Sequence, residues 1–182
     1  MARIGYPDPQ RLDEPTRALL AKLRQANVFR MLAHAAPALR PLVQLGSALL
    51  YQGTLDPALR ELVIVRVGHL CGSAYEVHQH ERLAAAVGVP AAKRAALRRG
   101  PQAPAFTPLE RAALRFADEA VRDGRAGDAS FAQVHAALGE VGTVELTLLV
   151  GYYLMMARVL LGLDVDLDDE AKLSAAPRGA GP

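Results

Sequence analysis

The most concentrated set of reactive side chains in the sequence is the stretch CGSAYEVHQH, residues 71–80. It holds the only cysteine of the 182-residue chain, two of its five histidines, and two further acid–base candidates, Tyr75 and Glu76. A thiol indicates redox chemistry, whereas imidazole and carboxyl groups indicate proton transfer. A single cysteine excludes an intrachain disulfide, so the spacing of the other groups has to decide between these chemistries.

Helical geometry divides the reactive side chains of this stretch into two groups. Successive residues of an α-helix are about 100° apart, which places Ser73, Glu76 and His80 on one face. The same rotation places Cys71 and His78 on the opposite side. We therefore predict two candidate stripes, only one of which can line a given pocket.

The longer stretch RELVIVRVGHLCGSAYEVHQH, residues 60–80, resembles the signature of the carboxymuconolactone decarboxylase family, which includes the AhpD-like alkylhydroperoxidases. Members show an Arg-Glu pair that opens a helix, a turn of small residues, and then Cys-x-x-Cys-x-x-x-His. The segments VFRMLAHAAPALRPL, TPLERAALRFADEAVRDG and VELTLLVGYYLMMARVLLGLDVD are similar to the longer members. The resemblance covers about residues 3–168 and implies an all-α, AhpD-like helical bundle that assembles as a homo-oligomer, a trimer or hexamer.

Two alignments of the motif compete in this sequence. One matches it to Cys71 and His78, and the other to Ser73 and His80. In the family, the helix-opening glutamate precedes the first cysteine by 12 residues and the histidine by 19. Counted from Glu61, these steps reach Ser73 and His80. We therefore prefer the second alignment and keep Cys71 and His78 as secondary candidates.

The preferred alignment replaces both family cysteines. Ser73 and Glu76 stand where the resemblance implies a peroxidatic and a resolving cysteine, so dithiol reduction of a peroxide is excluded. Two carboxylates and an imidazole remain. We predict that His80 transfers a proton, that Glu76 orients it through an i,i+4 hydrogen bond, and that Glu61 completes the relay.

The sequence thus predicts a carboxymuconolactone decarboxylase-like enzyme that works by acid–base chemistry, with neither an organic cofactor nor a metal. It would carry out decarboxylation, or lactone or enol proton transfer, on a small carboxylic or lactone substrate. Ser73 and Tyr75 are the predicted ligands of a substrate oxygen. Two alternatives stay open: a non-catalytic oligomer that binds a small ligand or acts as a scaffold, and an alkylhydroperoxidase-like antioxidant that uses Cys71.

Composition and charge limit the classes of partner and the location expected for the protein. The net charge is +2, and positive and negative residues are interspersed along the chain. The most basic stretch, residues 93–99, is best explained as a solvated helix face. We therefore expect no nucleic acid partner. The longest charge-free run of the apolar stretch, residues 146–157, is 12 residues, short of the roughly 20 of a membrane span, so no membrane partner is expected. A single cysteine and the lack of an apolar signal segment predict a cytoplasmic location.

Proline and capping residues predict the organisation of the chain. We expect an extended arm over residues 1–14, one helical domain over 15–172 and a flexible tail over 173–182. Residues 62–67 are rich in β-branched side chains and fit a strand, but the cap-like Asp56 and the length of the segment favour a helix. Helix starts are predicted near Pro15, Pro41, Pro57, Ser73, Pro108 and Ala129, with an apolar helix after residue 138.

A faint internal duplication is also predicted. The pattern of a capping residue followed by proline occurs at Asp56 and again at Thr107. An apolar helix led by glutamate occurs at Glu61 and again at Glu145. These two repeated patterns suggest a repeated helical unit.

Overall fold

The structure, a computed structural model, describes residues 1–169. These residues form α-helices and two short 3-10 turns, with no strand among them. The all-α prediction is confirmed, and the strand alternative for residues 62–67 is wrong. The α-helices are α1 (Glu14–Lys22), α2 (Asn27–Leu32), α3 (Ala36–Tyr51), α4 (Pro57–Cys71), α5 (Ala74–Ala86), α6 (Ala91–Ala96), α7 (Pro108–Asp123) and α8 (Asp128–Leu163).

The chain divides into two compact units. One comprises Met1–Ala48 together with the chain from Leu160 onward, and the other comprises Leu49–Val159. In the first unit, Leu20, Ala33 and Leu39 form a small buried cluster. Its N-terminal segment is bound to residues near the end of α8, for example by the Arg3 amide, which donates to the Leu163 carbonyl at 2.9 Å. The predicted tail, residues 173–182, lies outside the described residues.

The second unit is organised around α4, which packs against α5 and α7. Every residue of α4 from Leu59 to Gly68 is buried, so this helix has no solvent face. One apolar cluster joins it to α7 and α8, and another joins it to α5, α6 and α7. Such all-round burial is the reason that the sequence of α4 lacks the periodicity of an amphipathic helix.

The predicted caps fix the ends of these helices. Asp56 accepts a hydrogen bond from the Leu59 amide at 2.9 Å and starts α4, with Pro57 at the first helical position. Gly72, at φ 71°, ends α4 in the left-handed conformation that glycine adopts without strain. Thr107 and Glu110 form a reciprocal capping box at the start of α7. Both cap–proline starts on which the suggested duplication depends are therefore present.

One predicted boundary differs from the structure. A helix start is predicted near Pro41, but α3 begins at Ala36 and includes both Pro37 and Pro41. Proline in the first turn removes no helical hydrogen bond, and Pro41 removes a single one, which a 16-residue helix tolerates. The predicted short helix before residue 138 and the apolar helix after it are confirmed as the two helical segments of α8, which are separated by non-helical backbone at Gly139 (φ 68°, ψ −171°).

By length and composition, α8 is also the one helix among residues 1–169 that could cross a membrane. The core helix of a globular protein can have the same length and composition. In α8, 44% of the most apolar 18-residue window is buried within the protein. Leu146, Leu149 and Tyr153 of α8 lie in the apolar cluster with α4 and α7. The hydropathy of α8 is accounted for in part by this packing.

A buried ion pair links α4 to α7. Arg66 donates to both carboxylate oxygens of Asp118, from Nε at 2.6 Å and from Nη2 at 2.7 Å. Its Nη1 donates to the Leu97 carbonyl at 2.8 Å, which ties the end of α6 to the same guanidinium. This bidentate geometry satisfies a charge that would be costly to bury alone.

Replacing Asp118 should therefore leave Arg66 buried without a counter-charge. We expect Asp118→Asn to lower the free energy of unfolding by about 3 kcal/mol, measured by urea denaturation. The matched control is Asp128→Asn, because Asp128 is exposed and its contact with Arg125 is 3.6 Å long. That control should stay within about 0.5 kcal/mol of wild type. Equal stability of the two variants would contradict a structural role for the pair.

Candidate active site

The candidate site lies where α5 folds back against α4. Beyond Gly72, Ser73 caps α5 by accepting from the Glu76 amide at 3.5 Å. Gly68 permits close approach of the two helices, since a Cβ there would lie 3.0 Å from Val77 Cγ2 and 3.4 Å from Glu76 Cβ. The turn and this glycine set α5 against Glu61 on α4.

Glu61 and His80 form a buried pair between the two helices. His80 Nδ1 lies 2.8 Å from Glu61 Oε2, and the two residues are 9% and 2% exposed. A carboxylate only accepts hydrogen bonds, so we assign the proton to Nδ1. That assignment leaves Nε2 as the ring nitrogen that does not contact Glu61.

Two tyrosines of α8 adjoin this pair. The Tyr153 ring meets the His80 ring edge-on, with centroids 4.8 Å apart, and Tyr152 packs against Tyr153 at 5.3 Å. Burial, and then the negative charge of Glu61, hold the pKa of Tyr153 well above its usual value. Its hydroxyl therefore stays protonated and can donate a hydrogen bond.

Glu76 is the most unusual group of the site. It is 3% exposed, and neither carboxyl oxygen has a hydrogen-bond partner. Burial raises its pKa to about 8; the nearby Ser73 hydroxyl acts in the opposite direction but makes no hydrogen bond to either oxygen. At neutral pH Glu76 is largely a neutral carboxylic acid, which can donate a proton.

The structure assigns the partners of His80 differently from the sequence prediction. The predicted i,i+4 hydrogen bond between Glu76 and His80 is wrong: Glu61 takes Nδ1, and Glu76 has no hydrogen-bond partner. Two side chains on one helix face lie near each other, but this position alone does not give them the orientation of a hydrogen bond. Glu61 approaches from the facing helix and reaches the ring nitrogen directly.

The other predicted residues differ in burial and in position along the helices. Tyr75 is buried, and His78 is half-buried. Cys71 is the last residue of α4, so the angle computed for it on a continuous helix does not apply across the Gly72 turn. It is half-buried beside the apolar cluster of α4, α7 and α8, and burial raises the pKa of its thiol, which disfavours the reactive thiolate.

Arg60 was not predicted as a member of the site. Its Nε is buried, lies 3.7 Å from Glu61 Oε1, and makes no hydrogen bond. The available signal was a charged Arg-Glu pair inside an otherwise apolar helix. Within residues 1–169, no group of three or more His, Cys, Asp or Glu side chains is placed to hold a metal ion.

The raised pKa of Glu76 makes stability depend on pH. Between the ordinary value of 4.5 and about 8, the folded protein holds a proton that the unfolded chain releases, so the free energy of unfolding falls as pH rises through this window. Glu76→Gln removes this dependence. Between pH 5 and pH 8 its free energy of unfolding, measured by urea denaturation, should therefore rise by a few kcal/mol relative to that of wild type.

Glu140→Gln is the control for that experiment, because Glu140 is exposed. Its stability should run parallel to wild type across the same pH range. If Glu76→Gln also runs parallel to wild type, the buried carboxyl does not hold an extra proton in the folded state.

Comparison with known proteins agrees with the fold. The model of the carboxymuconolactone decarboxylase family matches residues 36–119. A search of curated proteins finds no match. A solved structure described as an AhpD core, an uncharacterized peroxidase-related protein from Ralstonia eutropha JMP134, has 19% identity and a TM-score of 0.81, covering 94% of this chain and 95% of its own.

Two further solved structures share the fold. An uncharacterized peroxidase-related protein from Silicibacter sp. TM1040 has 17% identity and a TM-score of 0.80, covering 93% of each chain. A cysteine-to-alanine variant of the debrominase Bmp8, in complex with 2,3,4-tribromopyrrole, has 14% identity and a TM-score of 0.77, covering 96% of this chain and 98% of its own. At these identities the likeness shows the fold, which is AhpD-like. The match to the model of the carboxymuconolactone decarboxylase family covers residues 36–119, which contribute Glu61, Ser73, Glu76 and His80 to the site.

Proposed function

We propose that this protein is a cofactor-free acid–base enzyme that decarboxylates, or moves a proton on, a small carboxylic or lactone substrate. The observation that carries the proposal is a buried, unpartnered carboxyl, Glu76, on the same face of α5 as His80, whose imidazole pairs with Glu61 of α4. Groups with strongly shifted pKa values concentrate at functional sites. The cytoplasm suits such an enzyme, since a lone cysteine calls for no oxidising compartment.

Glu76 is the proposed proton donor. When a carboxylate is attached to the carbon next to a lactone or keto carbonyl, loss of carbon dioxide breaks the carbon–carbon bond. The electron pair of that bond then forms an enolate. Transfer of the Glu76 proton forms the new carbon–hydrogen bond and leaves Glu76 as a carboxylate, which regains a proton from water. A neutral carboxylic acid with a pKa of about 8 is suited to this step.

His80 is the proposed base for substrates that keep their carboxyl group. Its Nε2 can remove a proton next to the carbonyl, and Glu61 holds the ring and stabilises the imidazolium that forms. The Ser73 oxygen accepts from the Glu76 amide, which leaves the Ser73 O–H to donate to a substrate oxygen. Tyr75 is a second proposed ligand of the substrate, and the Arg60 charge favours an anionic one.

The chemistry of Cys71 weighs against a peroxidase role. Two structural neighbours are described as peroxidase-related proteins, and peroxidase activity through a dithiol needs a reactive thiolate and a resolving cysteine. This chain has one cysteine, and burial raises the pKa of its thiol. We therefore expect Cys71→Ser to leave the proposed activity unchanged.

A binding role without catalysis is the second candidate. The observation in its favour is the closure of the site, where Glu61, Ser73, Glu76 and His80 are between 1% and 9% exposed. A structural neighbour holds tribromopyrrole, so the same fold in that protein accommodates a small aromatic molecule. In this case a ligand would bind and stabilise the protein without being converted.

The test is turnover of a panel of β-keto acids and lactone carboxylates in D2O. Carbon dioxide release and deuterium incorporation beside the carbonyl are followed by NMR. We expect Glu76→Gln and His80→Gln to lower the rate by about 10²- to 10⁴-fold. His135→Gln and Glu140→Gln are matched controls, since both residues are exposed, and should keep the wild-type rate.

Each outcome of that test separates the candidates. Wild-type rates in both Glu76→Gln and His80→Gln would contradict the acid–base proposal. A compound that raises the melting temperature of wild type but is neither decarboxylated nor exchanged would favour the binding role.

We also propose that the chain self-associates. Val141, Val144, Leu148 and Met155 lie on one face of α8 and are 60%, 58%, 49% and 38% exposed. An apolar helix face of this kind is typical of a subunit interface. A trimer or hexamer is the assembly implied by the resemblance to the family.

Substitution on this face tests self-association. Val144→Lys combined with Leu148→Lys should convert the oligomer to monomer, measured by light scattering during size-exclusion chromatography, because a buried ammonium group is costly. Val87→Lys is the control, since Val87 is 40% exposed but lies outside α8. A wild-type protein that is monomeric at high concentration would contradict the proposal.

A further inference from the structure

An open pocket of about 520 Å³ lies on the Leu49–Val159 unit. It is formed by side chains from the C-terminal half of α4, the loop after α6 and the end of α7, and shares no residue with the Glu61–His80 site. Its lining residues are Arg66, His69, Leu70, Arg98, Arg99 and Arg122.

The pocket has a marked excess of positive charge. Arg66 and Arg122 both contact Asp118, the latter through Nη1 at 3.3 Å, so two guanidinium groups share one carboxylate. The guanidinium groups of Arg98 and Arg99 make no hydrogen bond or ion pair with residues 1–169. Four arginines thus line the pocket, no carboxylate is among its lining residues, and Asp118 contacts only two of the four.

This arrangement is built by buried contacts. Arg66 is 5% exposed, and its Nη1 donates to the Leu97 carbonyl at 2.8 Å and to the Arg98 carbonyl at 3.5 Å. At Gly100 (φ 90°), a Cβ would lie 2.9 Å from Arg66 Nη2, so the loop packs directly on the guanidinium. The ion pair that joins α4 to α7 therefore also holds Arg98 and Arg99 at the rim of the pocket.

His69 adds an unsatisfied polar group to the lining. Its Nε2 is buried and has no hydrogen-bond partner. Burial is the main cause that lowers the pKa of His69; Arg98 and Arg66 act in the same direction, and Glu81 opposes them. A negative charge in the pocket would counter both arginines and favour the protonated imidazole.

We propose that this pocket binds a compact oxyanion with at least two negatively charged oxygens, the chemistry shared by phosphate esters and small polycarboxylates. Guanidinium groups form paired hydrogen bonds with such oxygens, and Arg98 and Arg99 have free donors for them. Residues 93–99, which the sequence presented as a solvated basic face, thus contribute two anion ligands. The site is separate from the proposed acid–base chemistry and does not depend on it.

The test is titration of the full chain with pyrophosphate, and separately with citrate, by calorimetry at constant ionic strength set with chloride. The binding-site variant is Arg98→Gln combined with Arg99→Gln, both of which are exposed residues. The control is Arg111→Gln combined with Arg125→Gln, which removes the same charge away from the pocket. We expect saturable binding whose Kd rises about tenfold or more in the first variant and stays unchanged in the control.

The side-chain NMR signal of His69 provides a second measurement. Binding of either anion should raise the pKa of the His69 imidazole in wild type and in the control variant only. Tighter binding of pyrophosphate would assign the pocket to phosphate esters, and tighter binding of citrate would assign it to polycarboxylates. The proposal would be overturned if neither anion binds saturably, or if the two double variants lose affinity equally.

Discussion

Burial of α4 from Leu59 to Gly68 is the constraint on which the rest of the Leu49–Val159 unit depends. A charged side chain in this segment needs an internal partner, because an unpaired buried charge costs several kcal/mol. Arg66 meets this requirement through Asp118 and the Leu97 carbonyl, and Glu61 meets it through His80. These bonds set the positions of α5, α6 and α7 around the central helix.

The same constraint separates structural from functional groups. Arg66 and Asp118 satisfy each other, as expected of a pair that stabilises a fold. Glu76 lies at a similar depth but lacks a hydrogen-bond partner, so it contributes no comparable stabilisation and is kept neutral by its surroundings. A buried acid that costs stability is understandable if the proton that it holds is used on a bound substrate.

The two sites proposed for this protein depend on opposite ends of α4. Near the start of the helix, Glu61 orients an imidazole beside a neutral carboxyl, in an environment from which water is excluded. Near its end, Arg66 draws a loop inward and leaves two arginines beside an open pocket. One site is suited to proton transfer, whereas the other is suited to charge recognition.

The sequence by itself determined the helical fold and singled out Glu61, Glu76 and His80, three of its buried polar residues. Caps at Asp56 and Thr107, the glycine at 72 and the spacing from Glu61 to His80 are local signals, since each depends on a few neighbouring residues or on one helical period. They were sufficient to place two helices and to bring Glu61, Glu76 and His80 into consideration.

Only the tertiary structure decided which carboxyl contacts the imidazole. The i,i+4 spacing favoured Glu76, but the facing helix delivers Glu61 to His80 Nδ1 and leaves Glu76 without a partner. The arginine pocket is likewise invisible in the sequence, because Arg66, Arg98 and Arg122 converge from three separate elements. Periodicity fixes the face on which a side chain lies, whereas packing of helices distant in sequence fixes what that side chain meets.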